Sequence, residues 1–154
     1  MKCILIVLTA VFGLFVAPDC RADVHIYSGQ YEYDSRIVYT WDGTHLYSGK
    51  YAYQSNILLT YDGKHIYEGP YKYESKILYT WDGKHLYSGK YTYRSKILYT
   101  YSDSHIYRGA YAYMSNILYT LKGKHIYKGQ YAYVSNILYT TNATVPVPVW
   151  LMVL

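Results

Sequence analysis

Six histidines, His25, His45, His65, His85, His105 and His125, fall 20 residues apart without a single slip. A fixed period of this length means that each unit is one small supersecondary piece, which buries its apolar surface against copies of itself. Aligned on the histidine, the units read H-[IL]-Y-x-G-x-Y-x-Y-x-S-x-I-[LV]-[YL]-T, with D-G-[KT] completing the first three. The His, three Tyr, Gly, Ser, Ile and Thr recur in all six units, so each has the same structural task six times over.

The residues between these fixed points identify strands. In Tyr67-Glu68-Gly69-Pro70-Tyr71-Lys72-Tyr73 the aromatic positions alternate with Glu, Pro and Lys, the period-2 pattern of a strand with one wet face. Tyrosine supports this, being a strand former that can bury its ring and keep its hydroxyl in water, and the chain has 25 of them against 2 Phe. The recurring Gly and Pro70 mark a bend or an edge. Further on, Ile77 to Trp81 is apolar and runs directly into Asp82-Gly83, a strong hairpin signal. Pairing across that turn sets Trp81 opposite Lys84, Thr80 opposite His85 and Tyr79 opposite Leu86. The later turns, Ser102-Asp103, Lys122-Gly123 and Asn142-Ala143, carry weaker signals. The expected fold is all-β: six 20-residue β-hairpin repeats over 25–144, about two strands each, in a single stacked or closed sheet. A β-solenoid or a β-propeller-like closure is the alternative.

The two ends differ from the repeats. Residues 1–22 read as a signal peptide: Lys2, an apolar run from Ile4 to Val16, and Cys20-Arg21-Ala22 before Asp23, a pattern that implies a secreted, periplasmic or cell-surface protein. Both cysteines, Cys3 and Cys20, lie inside that segment, so a chain starting at Asp23 has no disulfide and no thiolate site. The segment 145–154 is apolar with two prolines, Pro146 and Pro148, which suits a C-terminal cap or a closing edge strand. From Asp23 onward the net charge is +4, and the basic excess follows Asp103, the last acid, as Arg108, Lys122, Lys124 and Lys128. Four dispersed cations do not make the dense stripe of a nucleic-acid binder, and no nucleic-acid partner is expected.

At this level the residues resemble known repeats. Tyr67-x-Gly69 with Tyr71, then Asp82-Gly83 with Tyr87-x-Gly89, are similar to MORN-type hairpin repeats. The period here is shorter and a second G-x-G is missing, so the lipid and protein-docking roles of those repeats do not transfer. The I-Y-x-G…I-L-Y-x-x-D-G arrangement more closely resembles uncharacterised secreted bacterial Tyr-rich proteins, which implies an exported all-β repeat and no particular activity. Choline-binding cell-wall repeats are similar in length and aromatic content, but their G-W pair is absent, since none of Trp41, Trp81 and Trp150 follows a Gly.

Two columns could carry chemistry. The histidines could share a metal between stacked units, with His65 and His85 as the candidates, because imidazole is a common ligand. No carboxylate or thiol recurs beside them, however, so no metal and no cofactor is expected and each His is expected to face a Thr in the sheet. The eighteen fixed tyrosines, three per unit, are either the packed core or an exposed platform for sugar rings or a protein, with Tyr31, Tyr51, Tyr71, Tyr91, Tyr111 and Tyr131 as the binding candidates. Six copies of a Ser and a His do not make the asymmetric constellation of an active site, so the chain is not expected to be an enzyme. Three classes remain: a non-catalytic secreted or surface repeat protein binding a glycan or protein through its Tyr face, an assembly module joining end to end through edge strands, and an outer-membrane β-barrel.

Overall fold

In the computed structural model, residues 22–154 are described, and the signal-peptide reading of 1–22 falls outside them except for Ala22. Twelve strands follow one another: β1 Val24–Ser28, β2 Ile37–Trp41, β3 His45–Ser48, β4 Ile57–Tyr61, β5 His65–Glu68, β6 Ile77–Trp81, β7 His85–Ser88, β8 Ile97–Ser102, β9 His105–Arg108, β10 Ile117–Lys122, β11 His125–Lys128 and β12 Ile137–Thr141. Each pairs antiparallel with its chain neighbours, and β1 pairs with β12, so the sheet is a closed barrel. Closure settles the architecture in favour of a barrel over a solenoid or propeller. It also leaves no free strand edge among the described residues, so end-to-end joining through unpaired edges has no template.

Alternation sorts the side chains. Ile26, Leu46, Ile66, Leu86, Ile106 and Ile126 are fully buried and point inward, with Trp41, Trp81 and the Tyr39, Tyr79 and Tyr99 positions around them. Eight strands make a barrel that side chains alone can fill, and a wider one leaves internal space. Here a helix occupies it. The tail folds as α1, Val147–Val153, with Pro148 buried and Val149, Trp150, Leu151 and Val153 in the same cluster as the inward Ile and Leu residues. Of the two expectations for this segment, a cap or an edge strand, the edge strand does not form; the tail is an internal plug. The prolines that exclude a strand are tolerated in a helix's first turn, where no backbone donor is lost, and a helix apolar on every side must be buried.

The turns sit one residue later than expected. Trp81 lies opposite Leu86 and Thr80 opposite Tyr87, so Asp82 faces His85 and the two-residue turn is Gly83-Lys84. The cause is the Asp82 side chain. Its Oδ1 accepts the backbone N–H of Lys84 at 2.8 Å and of His85 at 2.6 Å, which requires Asp82 to precede the turn. Gly83 alone takes a positive φ, +99°. In the fourth tight turn Asp103 and Ser104 both adopt positive φ, 48° and 65°. Asn142-Ala143 makes no turn: Asn142 lies at the seam, where its Oδ1 accepts the His25 N–H at 3.0 Å and so caps the junction between β12 and β1.

A spanning barrel needs strands of about 9–11 residues with an apolar exterior. These strands have 4 to 6 residues and their apolar cluster is inside, so the outer-membrane alternative does not match the fold.

Candidate functional site

Each repeat leaves the sheet at its glycine. β5 ends at Glu68, Gly69 turns with φ +74°, and the chain passes through Tyr71 and Tyr73 into a short 3-10 turn, Glu74–Lys76, before β6 begins. A Cβ on Gly69 would meet nothing within 4 Å, so the residue is needed for its backbone conformation and not for close approach. Once the chain leaves the ladder, strand alternation no longer governs its side chains. The three fixed tyrosines of a repeat therefore separate: Tyr67 is buried, whereas Tyr71 and Tyr73 stand in solvent.

The link lies back over the outer face of the hairpin it follows. Thr60, Thr80 and Thr100 point outward but are fully buried beneath it. Thr80 Oγ1 donates to Gly89 O at 2.8 Å, and the equivalent bond recurs from Thr40, Thr60, Thr100, Thr120 and Thr140. In four repeats the threonine also holds the histidine: Nδ1 of His25, His65, His85 and His125 lies 2.8 to 3.1 Å from the Oγ1 of Thr40, Thr80, Thr100 and Thr140. Since each hydroxyl proton goes to a glycine carbonyl, the imidazole must donate from Nδ1. His65 thus faces Thr80 across the long link of its own repeat, not across the tight turn as the expected register had it. His45 turns to Asp42 Oδ2 at 3.1 Å, and His105 to the Asp103 carbonyl at 2.7 Å. Among the described residues no three His, Cys, Asp or Glu side chains gather where they could hold a metal, so His65 and His85 are not brought into such a cluster.

The turn carboxylates are well partnered. Asp42, Asp62 and Asp82 each accept a tyrosine hydroxyl, from Tyr47, Tyr67 and Tyr87, at 2.7 to 2.8 Å. Burial works against their ionisation, but the backbone N–H groups and the phenol outweigh it and hold all three below the ordinary aspartate value. The same contact, after burial, pushes Tyr67 and Tyr87 up to about 12.

The sequence-predicted positions Tyr31, Tyr51, Tyr71, Tyr91, Tyr111 and Tyr131 all lie on the exposed links, and each is joined by a second tyrosine two residues on. The ring centroids of a pair are 5.4 to 5.7 Å apart with interplanar angles of 14 to 36°, three pairs stacked and three tilted, all at the separation of favourable aromatic pairs. All twelve rings are between 49% and 61% exposed. Polar ties run between neighbouring links: Lys50 to Asp34 at 2.6 Å, Lys90 to Glu74, and Arg94 to the Tyr111 hydroxyl at 2.6 Å with its guanidinium 5.3 Å from that ring centroid. Lys50 and Lys90 sit over Tyr51 and Tyr91 at 5.8 and 5.4 Å. Tyr33, Tyr53, Tyr73, Tyr93, Tyr113 and Tyr133, which the sequence offers only as members of the wider set of fixed tyrosines, are the second rings of the pairs. A closed six-fold repeat with an outer petal on every hairpin has a counterpart among protein families: residues 26–150 match the model described as 6-fold beta flower protein. The chain belongs to that family. No curated protein and no solved structure matches it. The beta flower architecture accounts for the repeat number, and in this member each petal carries a tyrosine pair.

Proposed function

We propose that this beta flower protein is an exported, non-catalytic binding module that holds a glycan or protein partner through its tyrosine pairs. The observation that carries the reading is the repetition of one exposed aromatic element six times around a rigid barrel. Exposed contiguous aromatic surface marks interaction sites, and tyrosine supplies contact area at little cost in side-chain entropy. The residue between the paired rings is polar or charged in three links, Glu32, Lys72 and Thr92, and alanine in the others, a mixture that suits the mixed apolar and hydroxylated surface of a sugar. Six equal weak sites favour a partner that is itself repetitive, because the second and later contacts are intramolecular and gain from effective concentration.

The experiment is retention on immobilised polysaccharides, with immobilised proteins as the other arm. Replacing Tyr31, Tyr51, Tyr71, Tyr91, Tyr111 and Tyr131 by Ala should abolish retention while the circular dichroism of the barrel persists. Replacing only Tyr71 should weaken binding to a polymer far less than replacing all six. Retention that survives the six-fold change would sink the reading.

A further inference from the structure

The tyrosine pairs have a second chemical property, independent of any partner. Two phenols whose ring centroids lie 5.4 to 5.7 Å apart, both open to solvent, occur six times. The chain holds its cysteines only at Cys3 and Cys20, and among the described residues there is none. We propose that the six Tyr-x-Tyr pairs are oxidative cross-linking sites, each closing into dityrosine under a one-electron oxidant of the peroxidase and peroxide class.

The step balances. Each phenol gives up one electron and its hydroxyl proton, and the two phenoxyl radicals join through ring carbons ortho to oxygen. The hydrogens on those carbons then move to the oxygens, which restores two phenols. The net loss is two hydrogen atoms per pair, and one peroxide takes them up as two waters. Placing the rings side by side turns a bimolecular coupling into an intramolecular one, where effective concentrations are very large. The paired rings must swing edge to edge for the bond to form, and exposed side chains on a link outside the sheet have room to do so. Tyr27, Tyr47, Tyr67, Tyr87, Tyr107 and Tyr127 are sealed beneath the links and have no such access. Coupling is therefore directed to the links, and each closed link gains a covalent tie in a domain held otherwise by packing and hydrogen bonds.

The test treats dilute folded protein with peroxidase and limiting peroxide, then reads intact mass, oligomer size and cross-linked peptides. The expected product is monomer lighter by multiples of two hydrogens, with dityrosine mapped inside pairs such as Tyr71–Tyr73. A Tyr73→Phe variant, altered at an exposed ring, should lose that one cross-link and keep the other five as internal controls. Cross-links that join different pairs or different molecules in preference, or a Tyr73→Phe product with the parent's full number of cross-links, would overturn the proposal.

Discussion

Thr100→Val tests the internal logic of the petal. Thr100 is buried, its hydroxyl donates to Gly109 O at 2.6 Å, and His85 Nδ1 approaches it at 2.9 Å. Valine keeps the shape and removes both contacts. A buried carbonyl losing its donor costs about 1–3 kcal/mol. The His85 ring is only half-buried and can recover water, so its share falls at the low end, near 1 kcal/mol. The fold provides its own control. Thr60 is equally buried and donates to Gly69 O at 2.7 Å, but the histidine of its repeat, His45, bonds to Asp42. Thr60→Val should cost the carbonyl term alone. The two variants should therefore differ by roughly 0.5–1 kcal/mol, or about 1–4 °C in Tm for a domain of this size. Calorimetry at neutral pH measures both. Equal melting points, or a larger loss from Thr60→Val, would refute the assignment of the histidine as donor to threonine.

Other outcomes follow from the same geometry. Gly83→Val places a β-branched residue at φ +99° and should cost about 1–3 kcal/mol, whereas Lys72→Thr on the exposed link should be near neutral; chemical denaturation compares them. Asp42, Asp62 and Asp82 titrate lower folded than unfolded, so their contribution is present above the ordinary aspartate value near 4 and is lost as pH falls through the folded value; Asp82→Asn should reduce the acid-side fall in Tm. Tyr67 and Tyr87, raised to about 12, stabilise the fold below pH 10 and lose that contribution as pH climbs towards 12; ring carbon shifts in NMR should show them neutral at pH 11. Trp150→Ala empties part of the barrel interior, where Trp150 is 4% exposed, and should cost about 3–5 kcal/mol, read by denaturant unfolding.

Much of the barrel was legible in the chain, and the misses share a physical cause. The histidine period and the Asp-Gly turns pointed to six hairpin repeats of about two strands each, while the inward Ile and Leu column was not singled out. The register was misplaced by two residues, and a shift of two leaves every side chain on its original face. Leu86 meets an apolar partner in either register, Tyr79 or Trp81, so the apolar pattern could not separate them; the Asp82 side-chain cap could. The tyrosines at 71 and 73 continue the alternation of Tyr67 in sequence but not in space, because Gly69 ends the ladder. The tail was ambiguous because ten apolar residues with two prolines fit no strand and are short for a helix. Only the width of a twelve-stranded interior creates the space that makes a buried helix favourable there.

That helix also bears on uniqueness. A barrel of six near-identical units has six nearly degenerate ways to accept an internal segment, and a single helix cannot share their symmetry. The residue that follows the buried threonine breaks the tie: it is Trp41, Tyr61, Trp81, Tyr101, Leu121 and Thr141 in successive repeats. Side-chain volume at this inward position is thus large through four units and small through the last two. Exchanging Thr141 and Trp81 would redistribute that volume while leaving composition, strand number and repeat period untouched. The plug would then face a differently shaped cavity, and its preferred orientation would rotate about the barrel axis. In a chain this repetitive, the departures from repetition select one native state among near-equals.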